Sequence, residues 1–223
     1  MTGVDPVLVR GWLAARSLSR GLPAPVADHG GWRVDTGGEV ERRRYVFAEP
    51  GPGLPALLAT IAEPGVFVKL CADADTFRTL LPAHWTITDA NCMMVPDQPV
   101  PMPPMVPPGY RLTTLRDGGV THTTIAAPDG EPAASGYAAE LDGIFVYDRI
   151  VVEEPHRRRG LGKALMMALG AQCTPTSRQV LTATAMGAAL YATLGWRVYA
   201  PYTTATILIP PPQGQGDRIW PSW

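Results

Sequence analysis

Residues 151–170 read VVEEPHRRRGLGKALMMALG: an apolar strand end, an acidic pair before Pro155, three arginines, a Gly-x-Gly, then an apolar run at helical spacing. A strand ending at Val152 would deliver the chain to a turn in which Gly160 and Gly162 let the backbone come close to a ligand. The helix that opens there would aim its unpaired N–H groups at the same point. Its dipole adds partial positive charge, and Arg157, Arg158, Arg159 and Lys163 add full charges. The stretch predicts an anion-binding loop. Taken alone it is equally compatible with arginines that solvate a turn and glycines that permit tight packing, because short glycine patterns recur by chance. A nucleotide-phosphate loop is a poor reading, since there is no GxxxxGK[ST] and Lys163 is followed by Ala164.

The surrounding elements decide between these readings. Upstream, YRLTTLRD, VTHTTIAAP, PAASGYAAEL and IFVYDRIVV are successive strands broken by DGG, PDGEP and LDG turns, which predicts an antiparallel meander. Downstream come the helix through ALMMALGAQC, the strand VLTATA, the helix MGAALYATLG and a last strand pair around WRVYAPYTTATILI. A meander, then Arg157-x-x-Gly160-x-Gly162 at a strand-to-helix turn, then strand, helix and strand, resembles the GNAT acyltransferase superfamily. ALYATLGW is similar to that family's late Leu-Tyr-x-x-x-Gly-Phe helix, with Trp196 in place of Phe.

The resemblance spans Tyr110 to Ile209 and implies acetyl-CoA, or another acyl-CoA, as donor. It implies a pyrophosphate cradle from Arg158, Arg159, Gly160, Leu161, Gly162 and Lys163, with Arg157 at the entrance and Leu161 chiefly a packing residue. It further implies a bulge that splays the strand before the loop, so that Val151 and Val152 offer main-chain contacts to pantetheine. The family often has Asn seven residues before the helix tyrosine, where this chain has Thr184. One or two helices that cover the acceptor usually separate the first two strands, and here only LRDGG stands between them. The N-terminal half is the expected supplier of that cover.

Acyl transfer to an amine needs a neutral nucleophile, a polarised carbonyl and a proton for the leaving thiolate. By the resemblance Tyr191 protonates the thiolate, a role a phenol suits because it is protonated at neutral pH. The alternative is that Tyr191 fills a helix core beside Leu190 and Leu194. The N–H of Val152 is the oxyanion candidate. Asp148 and then Glu153 are the candidate bases; period-two alternation puts Asp148 on one face with Val146 and Ile150, where it could equally pair with a neighbouring arginine. His122 reads as a solvated strand histidine and His156 as a cap or phosphate contact. Tyr137 and Tyr147 could line the acceptor cleft or pack.

The first half is mixed α and β. In DPVLVRGWLAARSLSRG, Asp5 is placed as N-cap and Pro6 at the first helical position, with Val7, Leu8, Trp12, Leu13 and Ala15 on the buried face. Strands follow at GWRVDT and RRYVFA, a helix at LPALLATIA, a buried strand at GVFVKLC, a helix at DADTFRTLL and a strand at WTITDANCMMV. The run ERRRY at 41–45 reads as a solvated strand edge. No internal repeat stands out.

Prolines crowd 96–108, where each removes a donor and fixes φ, so a stiff connector is expected there. The resulting division is an α/β unit over 1–95, either a degenerate copy of the second or a distinct unit, and the expected cover for the acceptor, a linker over 96–108, an acyltransferase domain over 109–210, and a tail over 211–223. The tail would be pinned by Ile219, Trp220 or Trp223. The fold class is thus mixed α/β with a largely antiparallel sheet.

The 223 residues carry 46% hydrophobic side chains and a net charge of −1, so nothing global draws the chain to nucleic acid or an anionic membrane. Cys71, Cys92 and Cys173 are scattered, without a CxxC pair, which supports neither a disulfide framework nor a metal site. The first residues carry Asp5 and Arg10 and read as neither signal peptide nor anchor, so a cytoplasmic protein is expected. A near-neutral surface and a covering half favour an enclosed small-molecule amine site, and strand exchange at the last hairpin is compatible with a homodimer. The rival readings are a non-catalytic acyl-CoA sensor or assembly subunit, and an enzyme for peptide or protein amines.

Overall fold

The computed structural model describes residues 3–97 and 105–208; the centre of the proline segment and the tail with Ile219, Trp220 and Trp223 lie outside them. The N-terminal half holds α1 (Pro6–Ser19), β1 (Val26–Asp28), β2 (Gly31–Asp35), β3 (Arg43–Phe47), α2 (Gly53–Thr60), β4 (Val66–Leu70), α3 (Ala74–Arg78) and β5 (Thr86–Pro96). The C-terminal half holds β6 (Arg111–Asp117), β7 (Val120–Ala126), β8 (Pro132–Leu141), β9 (Ile144–Val152) and a single 3-10 turn, Glu154–His156. It continues with α4 (Leu161–Gly170), β10 (Arg178–Ala183), α5 (Ala185–Ala192) and β11 (Trp196–Thr206). The last is one long strand, bent by an irregularity between Val198 and Ala200, where a strand pair was expected. β1 escaped the sequence reading because three residues carry too little pattern.

All strands join one eleven-stranded sheet in the order β1-β2-β3-β4-β11-β5-β10-β9-β8-β7-β6. Two neighbouring pairs, β3 with β4 and β9 with β10, are parallel, each joined by a crossover helix, and the rest are antiparallel. The order has an approximate two-fold: each half runs strand, helix, parallel strand, helix, strand, and each sends its last strand across to the other. β5 lies between β10 and β11, and β11 lies between β4 and β5. This repeat is invisible in the sequence because the halves share a chain path and not a residue pattern.

Helices cover both faces. Among the described helices, α1 is the one that packs on the face that carries Val34, Val46, Met93, Ala139, Val146, Val180 and Tyr202. The opposite face carries α2 and α3 over Tyr45, Phe47, Val68 and Leu70, and α4 and α5 over Phe145, Tyr147, Leu181 and Ala183. Asp5 caps α1 by accepting from the Val7 N–H at 2.9 Å, with Pro6 in the first turn. Val9, not Val7, joins Leu8, Trp12, Leu13 and Ala15 in the core; Val7 stands 69% exposed, because two residues, about 200° of rotation at 3.6 residues per turn, put the two valines on opposite sides of the helix. α1 sits close on β9: a Cβ at Gly11 would lie 2.5 Å from Ile144 Cγ1. No described helix is long and apolar enough to cross a membrane.

Candidate active site

The site begins where two parallel strands part. β9 and β10 stay in register from Ile144 opposite Arg178 to Tyr147 opposite Leu181, and there the ladder stops. β10 continues to Ala183 against β5, after which Thr184 turns the chain into α5. Beyond that level β5 pairs only with β11, so β9 from Asp148 and β5 before Cys92 face each other with unpaired edges across a gap. In the N-terminal half the equivalent pair stays zipped: β3 matches β4 from Arg43 to Phe47, and the Cys71 N–H bonds to the Phe47 carbonyl.

A bulge in β9 opens the gap. Ser135 of β8 faces Val151 while Tyr137 faces Asp148, so Arg149 and Ile150 share one position, and Arg149 takes φ 53°. The extra residue reverses the alternation. Asp148 stays with Val146 on the α1 face, whereas Ile150 and Val152 pack on the α4 face; the shared face expected for Asp148 and Ile150 therefore does not exist. The Glu153 N–H bonds to the Ala133 carbonyl at 3.0 Å, so the alternate residue Val152 turns its N–H away from β8 into the gap. Val151, by the same alternation, spends its main chain on β8.

At the mouth, Gly160 is the N-cap of α4 with φ 82°, and no side chain caps the helix. The N–H groups from Arg158 to Lys163 find no main-chain acceptor among the described residues, whereas the next, that of Ala164, bonds to the Gly160 carbonyl. Arg157 Nε donates to the Val152 carbonyl at 3.3 Å and ties the loop to β9. Arg159 Nη1 donates to the Tyr110 hydroxyl at 3.1 Å, and that hydroxyl pairs with His156 Nδ1 at 3.0 Å. Arg158 and Lys163 are exposed, while the Leu161 side chain is buried beneath the loop. A Cβ at Gly162 would lie 3.2 Å from Leu190 and 3.7 Å from Val152, which places α4, α5 and the end of β9 in mutual contact.

The counterpart loop between β3 and α2, AEPGPGL at 48–54, also has a Gly-x-Gly. Pro50 and Pro52 remove two donors, no arginine is present, and the His29 carbonyl lies 2.0 Å from where a Gly53 Cβ would stand. That cradle is filled by the protein itself. The counterpart of α5 in this half, α3, offers Phe77, fully buried, and no phenol.

Tyr191 lies in α5 next to Leu190, packed with Tyr147 and Trp196. Burial pushes its phenol up to about 12, which keeps it protonated at neutral pH. Thr184 accepts from the Gly187 N–H at 3.2 Å as the N-cap of α5, so its hydroxyl serves the helix. Glu153 is exposed just beyond the strand. Tyr147 packs, donating to Gln179 Oε1 at 2.7 Å. Tyr137 is sandwiched between the His122 ring, stacked at 4.1 Å, and the Arg149 guanidinium at 3.7 Å. Burial first, and then Arg149, lowers the pKa of His122.

Asp148, expected as a base, is instead bound to the end of α1. It accepts from Arg20 Nε at 2.6 Å and Nη2 at 2.8 Å and from Ser19 Oγ at 3.2 Å, with Arg16 at 3.6 Å and Arg149 at 3.5 Å. Burial works to raise its pKa, but the Arg20 hydrogen bonds and the fields of Arg16, Arg20 and Arg149 outweigh it, and the net shift is downward. The carboxylate thus holds α1 against the bulge and has little affinity left for a proton. Asp148→Asn is expected to cost about 3 kcal/mol, the scale for removing one partner of a buried pair. Since the folded pKa lies below the unfolded one of about 3.9, the contribution is complete above that value and is lost as pH falls through the folded pKa. Urea unfolding should therefore show a gap between the two proteins at pH 7 that narrows in acid.

Sequence reasoning misjudged 41–45. Arg42 and Arg43 are exposed, but Arg44 is buried and forms a two-pronged pair with Glu41, at 2.7 and 2.6 Å. Among the described residues no three His, Cys, Asp or Glu side chains group as metal ligands do.

A splayed parallel pair with an uncapped helix N-terminus at its mouth offers backbone N–H groups to an anionic ligand. Residues 119–198 match the acetyltransferase (GNAT) domain family. In structure the chain is similar to a GCN5-related N-acetyltransferase from Kribbella flavida, at 17% identity over 93% of this chain and 96% of that one, with a TM-score of 0.65. It is similar to a GCN5-related N-acetyltransferase from Sphaerobacter thermophilus, at 16% identity over 79% and 76%, TM-score 0.55. It is also similar to a Novosphingobium aromaticivorans protein placed in the GNAT family, at 19% identity over 91% and 97%, TM-score 0.54. No curated protein matches the chain significantly in sequence. A GNAT acetyltransferase domain model thus matches residues 119–198, and the solved structures share the fold of the chain.

Proposed function

We propose that the protein transfers an acetyl group from acetyl-CoA to the amine of a small molecule, such as an amino acid or metabolite analogue. The observation that carries this is the gap between β9 and β5, with the Val152 N–H turned into it, the free N–H groups of Arg158 to Lys163 at its mouth and Tyr191 beside it. The pyrophosphate rests on those N–H groups and the pantetheine arm lies along the free edge of β9. The amine attacks the thioester carbonyl, whose developing oxyanion receives the Val152 N–H. As the carbon–sulfur bond breaks, Tyr191 gives its proton to the thiolate and regains one from solvent. The ammonium proton leaves to water at the exposed mouth, where Glu153 stands. The N-terminal half covers the acceptor: α1 packs on β8 and β9 on the face that the short turn between β6 and β7 leaves bare.

Calorimetry with acetyl-CoA, followed by thiol release across a panel of amines, tests the proposal. Micromolar binding with release that depends on the amine is expected. Binding without release on any amine would make the protein an acyl-CoA sensor, and absence of binding would end the proposal.

A further inference from the structure

A polar basin lies on the α1 face at the level of the gap. Register places Lys69 of β4 beside Thr204 of β11 and Thr204 beside Asp89 of β5; one row nearer the sheet centre, Tyr202 lies beside Asn91. Asp89 and Asn91 belong to the stretch of β5 whose outer edge is unpaired, so the basin borders the gap. Its walls are the last turns of α1, with Arg16 and Arg20, and the Glu41–Arg44 pair.

The charges here do not cancel within the protein. Arg44 is matched by Glu41, and Arg20 by Asp148. Arg149 is taken up by the Ser19 carbonyl and the Tyr137 ring. Arg16 lies over the Trp12 ring with a distant share of Asp148, and its Nη1 is buried without a hydrogen-bond partner among the described residues. Lys69 has no carboxylate in contact and reaches only the Thr204 hydroxyl, at 3.2 Å, over the Phe67 ring. Tyr202, 4% exposed and packed edge-on against Trp12, has a buried hydroxyl with no partner. Buried donors are ordinarily satisfied, and a cluster of unmatched ones costs stability unless something else fills it. Glu41 and the exposed Asp89 offset part of this charge from a distance, but Glu41 spends its hydrogen bonds on Arg44 and neither carboxylate touches Lys69 or Arg16.

We infer that this basin receives a carboxylate of the acceptor, held by Lys69, Arg16 and Tyr202, so that the substrate is an amine that also bears a carboxylate. The inference rests on the proposed acetyl transfer and narrows its acceptor. The carboxylate would anchor against β4 and β11 while the amine reaches into the gap, toward the thioester. Burial already lowers the proton affinity of Lys69, helped by Arg16 and opposed by Glu41, and a bound carboxylate relieves that penalty.

The test uses the full chain and Lys69→Met, which keeps the apolar stem and removes the charge. With acetyl-CoA saturating, glycine, β-alanine, 4-aminobutyrate and glutamate are compared with ethylamine, propylamine and butylamine. At least one carboxylated amine should have a KM about tenfold or more below its plain counterpart, and Lys69→Met should raise that KM about tenfold, with the KM for acetyl-CoA as control. Plain amines serving equally well, or a KM unmoved by Lys69→Met, would overturn the inference. If no amine is acetylated, the proposed function fails and the basin is judged by binding alone. Succinate and glutarate, titrated calorimetrically, should then bind wild type and the loop variant Gly160→Val alike and Lys69→Met about tenfold more weakly. Equal affinity in all three, or no binding, would refute it.

Discussion

Gly160→Val is expected to raise the dissociation constant for acetyl-CoA about a hundredfold while the protein stays folded. Gly160 has φ 82°, where a Cβ meets the following carbonyl and costs about 1–2 kcal/mol, more awkward still for a β-branched residue. Nothing lies within 4 Å of the Cβ position, so the new side chain meets only open space, and the strain must be relieved by turning the backbone. That turn is what aims the N–H groups of Arg158 to Lys163 at one point. Gly162 is the less clean choice, although the sequence gives it equal weight: a large side chain there would press on Leu190 and Val152 and disturb α5 with the loop. Titration calorimetry with acetyl-CoA measures the effect, and thermal unfolding verifies the fold with a melting temperature within a few degrees of wild type. An undiminished affinity would remove the loop from donor binding.

The glycine loop at the start of α4 was legible in the sequence because backbone chemistry there leaves marks in single letters. A positive φ needs a glycine, a helix start needs free donors, and both appear as Gly160-x-Gly162 after a strand. The meander was legible for a similar reason, since turn residues and period-two alternation are local. What could not be read was long-range. Nothing in TITDANCMMV says that β5 inserts between β10 and β11, so that half of the gap is made by a strand encoded far from the loop.

The residues proposed to hold the acceptor were not legible for the same cause. Arg16, Glu41, Arg44, Lys69 and Tyr202 are ordinary letters in separate elements, and only the exchange of last strands between the halves assembles them beside the gap. Asp148 was displaced from its expected role by one residue of bulge. The extra residue put Ile150 and Val152 on the other face and left the carboxylate opposite Arg20. Both errors arise because burial and partnership are properties of the assembled sheet. The two halves also share a Gly-x-Gly loop, yet only one keeps the donors and an opening to receive a ligand. Comparing Pro50 and Pro52 with Arg159 and Leu161 shows how little chain separates a cradle from a plug.

Tyr191→Phe should lower kcat about a hundredfold, the lower end of what a positioned acid contributes, with the affinity for acetyl-CoA changed less than a few fold. The substitution removes one hydroxyl from a ring packed between Tyr147 and Trp196, so the α5 core keeps its shape. Burial alone raises the phenol, to about 12, with no hydrogen bond from the protein contributing. A hydroxyl that the fold does not use is available to the thiolate. A free thiolate pKa lies near 8.5, so a proton moving from the phenol in the transition state must be drawn by the charge that appears as the carbon–sulfur bond breaks. Phenylalanine leaves that charge to water, which the packed site admits poorly. Single-turnover measurements isolate this step from product release. Loss of kcat with an intact dissociation constant marks Tyr191 as the acid. An unchanged single-turnover rate would reduce it to a core residue of α5.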